Sequence, residues 1–465
     1  MSPDNPAVPG PDGPENPAWE QMLRAMLGEG ADDAIREMRA RGFDPAAMAS
    51  ASGLPDDPRV VEQAVAQIRR LLAASGDDPV NWQMAHDLAR QQASVGGDPS
   101  LTPTQTREVH EALSVAELWL DAVTDLPPAA GTPHAWSRAE WVEATLPTWR
   151  TLTEPVAASL SSALVDALGS SLPEEAADAL PGGLDPSLLL RQLGSAVFGM
   201  QVGQGAGTLA REVFGTTDIG LPLLDSPAPA LVPANVDAFA EGLDAPPDEV
   251  RLFLALREAA ATRLFTHVPW LRAHLMATVE AYARGISIDV DQLEEAVRSI
   301  DPTDAAALQA ALSGGVFAPH TTPEQRAALE RLETALALVE GWVDEVTAAA
   351  AIAHLPHTVA LREMIRRRRA AGGPAEQAFA NLVGLELRPR RLRDASALWA
   401  LIARDNGPSA RDAVWDHPDL MPTTEDLDDP AGYAARRATA VDDAAEVDRA
   451  LAQILGEDPQ TPRED

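Results

Sequence analysis

The chain has 465 residues, a formal net charge of −35 from 71 acidic residues against 36 arginines, and neither cysteine nor lysine. These counts exclude disulfide frameworks, thiolate nucleophiles, zinc–thiolate sites and any mechanism that needs a lysine. The acidic excess also argues against a nucleic-acid partner, because such binding depends on clustered cations.

The hydrophobic fraction of 45% predicts a folded protein, and the low aromatic fraction of 4% beside abundant alanine and leucine predicts a mainly α-helical one. Residues 1–15 are acidic and rich in proline and glycine, so we expect a disordered head that is not a signal peptide. No run of about 18 apolar residues occurs, which favours a cytoplasmic protein with no membrane partner.

The chain then divides by composition. Residues 16–125 are predicted to form a helical N-terminal domain, and 126–135, which are rich in proline, a linker. A helical core is predicted over 136–424. The tail, 425–465, holds 12 acidic residues and four arginines, so we expect it to be mostly disordered apart from a short helix at 444–455.

A series of glycines occurs in the largely apolar stretch that ends near Phe214, at positions 194, 199, 203, 205 and 207. The series lacks the preceding strand and the spacing of a nucleotide-binding loop. We interpret these glycines as small residues that let neighbouring helices approach closely. Strands are expected at most near 218–224 or 385–388.

Several helices are predicted in the core, among them 248–266, 270–283 and 323–350. Residues 248–266 are apolar on nearly every side, which is typical of a helix buried in the core. This helix ends before Pro269. Residues 323–350 have an amphipathic pattern and a capping pair, Thr322 and Gln325, at their start.

Several ungapped blocks of the sequence resemble one family. They are Asp-Ile-Gly-Leu-Pro-Leu at 218–223, Val-Pro-Trp-Leu at 268–271, Glu-Gly-Trp-Val-Asp at 340–344, Gly-Gly-Pro-Ala-Glu-Gln at 372–377, Val-Gly-Leu-Glu-Leu-Arg-Pro-Arg at 383–390 and His-Pro-Asp-Leu at 417–420. Over about residues 136–430 the chain resembles the zincin-like metallopeptidases of high-GC bacteria, zinc-dependent hydrolases with a sister branch associated with biosynthesis of a deazaflavin coenzyme.

The resemblance implies a zinc site on the helix predicted at 248–266. In a zincin, the histidines of His-Glu-x-x-His bind zinc from one face of a helix and the glutamate activates water. Carried over, the first histidine falls on Arg257, the glutamate on Glu258 and the second histidine on Ala261, within Arg-Glu-Ala-Ala-Ala at 257–261. A downstream ligand falls on Glu340. The nearer branch often has arginine at the first position but keeps the second histidine.

Three hypotheses follow from this departure. The first is a non-catalytic binding or regulatory protein for an unknown protein or peptide partner, with no cofactor, in which Glu258 is a vestigial general base and Arg257 pairs with Glu340, Glu258 or both. The alternative is a zinc-dependent hydrolase whose metal site is rebuilt from Glu258, Glu340 and His267. The third is a structural interaction module that works through its acidic ends. In the simplest case the side chains at 257, 258 and 340 only reach solvent at a helix edge.

Two further groups of residues remain. His354 and His357 flank Leu355 and Pro356, so we expect a turn there and no helical metal site. Residues 362–393 hold nine arginines, which bind either an external anion or acidic partner, or form a solvated helix end that balances the acidic tail.

Overall fold

Helices account for nearly all regular structure in the computed structural model, which describes residues 78–171, 186–284, 322–372 and 391–455. The α-helices of these ranges are α1 (Trp82–Ala93), α2 (Pro103–Leu120), α3 (Arg138–Ser171), α4 (Pro186–Ala210), α5 (Pro233–Ala240), α6 (Pro247–His267), α7 (Pro269–Arg284), α8 (Pro323–Ala351), α9 (Thr358–Ala371), α10 (Leu392–Asp412), α11 (Thr424–Asp428) and α12 (Tyr433–Leu455). The prediction of a mainly α-helical fold is confirmed. None of these helices is long and apolar enough to cross a bilayer.

The chain forms two compact units, each assembled from separate segments. Among the described residues, the smaller unit comprises 78–85, 157–171 and 186–200, and the larger comprises 86–156, 201–284, 322–372 and 391–455. The expected linker at 126–135 lies inside the larger unit. The expected boundary between an N-terminal domain and a core therefore does not coincide with the division between the units.

Close backbone approach explains two of the glycines. In the smaller unit, a Cβ on Gly199 would lie 2.5 Å from the carbonyl oxygen of Asn81. In the larger unit, a Cβ on Gly207 would lie 2.6 Å from the carbonyl oxygen of Ala89. Both positions fit our interpretation of the glycine series, whereas Gly194 has open space around it.

The strands of the described residues lie outside the segment where we allowed for one. His134–Ala135 (β1) pairs in parallel with Ala230–Leu231 (β2), and Gly215 forms an isolated antiparallel bridge with Leu231. No strand forms at 218–224, where the chain turns through Gly220 at φ +79°. The candidate at 385–388 lies outside the described residues.

The centre of the larger unit is built on α6 and α8. Helix α6 packs against α2 and α8, and α8 also packs against α7 and α10. Every α6 residue from 253 to 265 is buried, as its apolar pattern predicts. Helix α8 begins with the predicted capping box, in which Thr322 and Gln325 each accept a hydrogen bond from the backbone N–H of the other.

The acidic tail is more ordered than its composition predicts. Residues 433–455 form α12, so the helix begins eleven residues before the predicted start at 444. Arg436 explains part of this order, because it donates to Asp426 at 2.8 Å and to Asp429 at 3.0 Å. Local pairing of this kind neutralises acids that net charge alone counts as repelling. Residues 456–465 and the head, 1–15, lie outside the described residues.

Candidate functional site

The three charged residues that the sequence singles out lie together in the interior of the larger unit. Arg257 and Glu258 occupy the middle of α6, and Glu340 the middle of α8. Their exposed fractions are 8%, 4% and 4%, respectively. These side chains do not lie at a solvent-exposed helix edge, so each buried charge must be met by partners inside the protein.

The carboxylate of Glu258 is held by a loop that precedes β2. Thr216 donates to Oε1 from its backbone N–H at 2.8 Å and from its hydroxyl at 2.6 Å. Thr217 donates to Oε2 from the same two groups, at 3.2 and 2.6 Å. The N–H of Ala230, in β2, lies 3.3 Å from Oε1. Glu258 therefore anchors the loop and the strand to α6.

Burial is the main influence on the protonation of Glu258. It raises the pKa of this carboxyl above its ordinary value, and the hydrogen bonds from Thr216 and Thr217 oppose that rise. No described cation donates a hydrogen bond to this carboxylate. Glu258 is thus set apart from Arg257, although the two residues are adjacent in the chain.

Gly215 provides the room that this arrangement needs. A Cβ at that position would lie 2.4 Å from Oε2 of Glu258 and 2.5 Å from the carbonyl oxygen of Ala230. Any side chain at 215 would therefore collide with the carboxylate and with backbone. The indole N–H of Trp141 donates to the Gly215 carbonyl at 2.9 Å, which fixes the same loop from its other side.

Glu340 is held between two arginines. Arg257 Nη2 donates to Glu340 Oε2 at 2.9 Å, and Arg369, from the last turn of α9, donates to Oε1. The side chains of Arg257, Arg369 and Glu340 are 9%, 11% and 5% exposed. The structure therefore brings Arg257 and Glu340 into one ion pair. It adds Arg369, one of the nine arginines of residues 362–393, which form the arginine block.

A second buried carboxylate follows one turn later on α8. Asp344 accepts hydrogen bonds from Arg362 at 2.9 Å, from Arg366 at 2.6 Å and from the Ser396 hydroxyl at 2.8 Å. Burial acts to raise the pKa of Asp344, but the hydrogen bonds from Arg362 and Arg366 and the charges of Arg362 and Arg257 outweigh it, so the pKa is lowered. The sequence analysis missed this residue, although it closes the Glu-Gly-Trp-Val-Asp block.

A third charged centre on α6 was also missed. Arg263 has a fully buried side chain and donates to Glu117 at 2.6 Å and to Asp121 at 2.7 Å. It also donates to the carbonyl oxygens of Glu117 and Leu126. The signal in the sequence was an arginine in a helix that is apolar on nearly every side. This cluster fastens α6 to α2, because every donor bond leads to α2 or to the chain just after it.

His267 does not reach the site. It is the last residue of α6, two and a half turns beyond Glu258, and its Nε2 lies 3.4 Å from the carbonyl oxygen of Pro128. His354 stacks on Trp119 with ring centroids 4.2 Å apart, and His357 bonds to Glu249 at 3.0 Å. These two histidines lie in and beside the predicted turn and approach different partners.

The residues at the zincin positions do not fit a zinc ion. A catalytic zinc takes about three protein ligands, and an arginine cannot give up its proton to become one. Ala261 offers no donor atom, and the oxygens of Glu258 and Glu340 already accept hydrogen bonds or ion pairs. Within the described ranges, no three histidine, aspartate or glutamate side chains are grouped so that they could hold a metal.

The arginine block meets mainly internal partners. Arg368 lies over the Phe214 ring at 4.1 Å and donates to the Glu212 carbonyl oxygen at 2.6 Å. Arg393 donates to Glu363 at 2.9 Å. Arg391 lies 2.7 Å from Asp428, which is one contact with the acidic tail. Arg388 and Arg390 lie outside the described residues.

Comparisons with known proteins agree with this structure. The sequence model of the family described as zincin-like metallopeptidase matches residues 80–434. A crystal structure from Chloroflexus aurantiacus, described as that of "a putative hydrolase with a novel fold", is similar at a TM-score of 0.54 and 19% identity, and covers 77% of this chain and 99% of that one. No curated protein matched the sequence. Because the family model spans more than half of the chain, the protein belongs to the zincin-like metallopeptidase family.

Proposed function

We propose that this protein is a zincin-like family member that has lost its zinc site and acts as a non-catalytic binding or regulatory protein. One observation carries the proposal: at the position of the first zinc-binding histidine, Arg257 forms a buried ion pair with Glu340, the position of the downstream ligand. A fixed positive charge therefore occupies the position of a metal ligand.

The charges of the two arginines around Glu340 also support the proposal. Arg257 and Arg369 together supply two positive charges to the Glu340 carboxylate, the same formal charge as one zinc ion. Buried carboxylates persist only when they are paired and hydrogen-bonded. The helix geometry of a zincin can thus be kept without metal, because the two guanidinium groups meet the same carboxylate.

In the part of the chain that the structure describes, no contact brings Glu258, Glu340 and His267 together, as the alternative of a rebuilt zinc hydrolase requires. The last of these lies at the far end of α6, against Pro128. The oxygens of the two glutamates are directed at the loop before β2 and at the arginines. The partner of such a binding or regulatory protein is a protein or peptide.

Metal analysis of the purified full-length chain tests the proposal. We expect no stoichiometric zinc in the wild-type protein and no zinc-dependent peptide hydrolysis. The double substitution Arg257→His/Ala261→His recreates two ligands on one face of α6, and we expect it to bind one zinc per chain. Each single substitution is the matched control and should bind none, since neither supplies the pair.

The opposite result is equally clear. One zinc per wild-type chain that disappears in Glu258→Ala or Glu340→Ala would refute the proposal and favour the rebuilt hydrolase. Circular dichroism of each variant separates loss of metal from loss of fold. If the folded double variant takes up no zinc, the scaffold has lost the geometry as well as the ligands.

A further inference from the structure

A cavity in the larger unit, separate from the ion-pair site, has the size and polar lining of a ligand pocket. Its volume is about 320 Å³, and it is lined by α7, by α8 and by the segment that leads into α11. Pockets for small molecules begin at roughly 300 Å³. The cavity shares no lining residue with the Arg257–Glu340 site.

Arg331, on α8, supplies a positive charge to this cavity. It makes no hydrogen bond or ion pair with the residues that the structure describes. His274, on α7, also lines the cavity, and its pKa is lowered by burial and by the charge of Arg331. A negatively charged group between the Arg331 guanidinium and the His274 ring would stabilise both side chains.

Polar groups in the wall have unused hydrogen-bonding capacity. His274 Nε2 is buried without a hydrogen-bond partner in the described structure. The hydroxyls of Thr334 and Thr424 lie 3.2 Å apart, and only one of them can donate to the other. The second hydroxyl hydrogen therefore remains available to a ligand acceptor.

The rest of the wall limits what can bind. Ala327, Met421 and Pro422 form an apolar surface beside the polar groups. Glu330 also lines the cavity, so a ligand with two negative charges would be repelled by its carboxylate. These features favour a single negative charge attached to an apolar body.

We propose that this cavity binds a small monocarboxylate, with its carboxylate on the Arg331 guanidinium and the His274 ring and its apolar body against Met421 and Pro422. The planar guanidinium matches a carboxylate with two parallel hydrogen bonds. The His274 ring, in the tautomer with hydrogen on Nε2, supplies a third donor. The proposal is independent of the zinc question, since the two sites share no residue.

Nuclear magnetic resonance of the full-length protein with isotope-labelled histidine tests this assignment. The probes are acetate, butyrate and phenylacetate, with phenylacetamide as the uncharged match and inorganic phosphate as the dianion. His274→Gln identifies the resonance. We expect phenylacetate to shift the His274 signal saturably and to raise the pKa of His274, because a bound carboxylate favours the protonated ring.

The variants decide which residue is responsible. Arg331→Gln should weaken phenylacetate binding at least about tenfold, a loss of roughly 1.4 kcal/mol. Arg326→Gln is the control, an exposed arginine in the first turn of the same helix that does not line the cavity, and it should leave the affinity unchanged.

Three results would overturn the proposal. They are the absence of a saturable His274 shift with all three carboxylates, equal affinity of the wild-type protein and Arg331→Gln, and binding of phenylacetamide or phosphate at least as tight as that of phenylacetate. Circular dichroism of Arg331→Gln confirms that a loss of binding is not a loss of fold.

Discussion

Arg257 and Glu340, 83 residues apart in the chain, form a buried ion pair between α6 and α8 with 2.9 Å between Nη2 and Oε2. The pair joins the two helices at the centre of the larger unit. Arg369 reaches the other oxygen of Glu340 from α9. Three helices therefore depend on one carboxylate.

Substitution of Glu340 tests this dependence. We expect Glu340→Gln to lower the free energy of unfolding by about 3–5 kcal/mol, because the negative charge that Arg257 and Arg369 share at Glu340 is lost inside the protein. Urea denaturation monitored by circular dichroism measures the change. Glu330→Gln, at an exposed position on the same helix, is the control and should stay within about 0.5 kcal/mol of wild type.

A second comparison separates charge from packing at the same place. In Glu340→Met, the buried Arg257 guanidinium loses the carboxylate with which it pairs, whereas in Arg257→Met/Glu340→Met that guanidinium is removed as well. The double variant should therefore be more stable than Glu340→Met alone. A double variant that is less stable than the single one would mean that Arg257 contributes by packing and that its pairing with Glu340 is incidental.

Gly215 should tolerate no side chain. We expect Gly215→Ala to lower the free energy of unfolding by about 1–3 kcal/mol, because the new Cβ collides with the Glu258 carboxylate and with the Ala230 carbonyl. The control is Gly194→Ala in α4, where a Cβ meets nothing within 4 Å and helix propensity favours alanine by roughly 0.5–1 kcal/mol. Equal losses in the two variants would contradict this account.

Thr217 should stabilise the folded protein through its hydrogen bond to the charged Glu258 carboxylate. Thr217→Val removes a 2.6 Å hydrogen bond to buried Glu258, and we expect a loss of about 1.5–3 kcal/mol. Thr153→Val removes a buried bond to a neutral carbonyl and should cost only about 1 kcal/mol. Thermal and urea unfolding of both variants provide the comparison. A larger loss for Thr153→Val would show that Glu258 is not a charged acceptor.

Asp344 should make the free energy of unfolding depend on pH. Its pKa lies below the ordinary 3.8, so its contribution is complete above that pH and is lost as the pH falls toward the folded-state pKa. Asp344→Asn should therefore be less stable than wild type by about 3 kcal/mol at pH 7 and pH 5. The difference should shrink below about pH 4. Urea unfolding at fixed ionic strength measures it, and a constant difference from pH 7 to pH 3 would exclude the expected role.

The helices of the core could be predicted because local signals mark their limits. Proline stands at the start of α6, α7 and α8, and the capping pair Thr322–Gln325 fixes the last of these. The helical spacing of the sequence places Glu258 on one face with Leu254 and Phe265, and Glu340 on one face with Leu336 and Val343, which is consistent with the burial of both glutamates. The resemblance identified the family, and the match over residues 80–434 supports it.

The partners of the buried charges could not be predicted in the same way. Thr217 lies 41 residues before Glu258, in a loop with no regular pattern, and Arg369 lies 29 residues after Glu340 in a run of four arginines. Such a run is usually solvated, so its sequence gives no reason to choose one member. Contacts of this kind depend on how helices are arranged in space, which local propensity does not determine.

The end of α9 shows what the buried carboxylates do beyond their own helices. The last turn of a helix usually frays, and its amide hydrogens exchange quickly with solvent. Here Arg366 donates to Asp344 and Arg369 donates to Glu340, and both arginines lie within the last two turns before the left-handed cap at Gly372. Amide exchange in this turn should therefore be limited by the opening of α8. Deuterium uptake in α9 should then report on the stability of the centre of the protein.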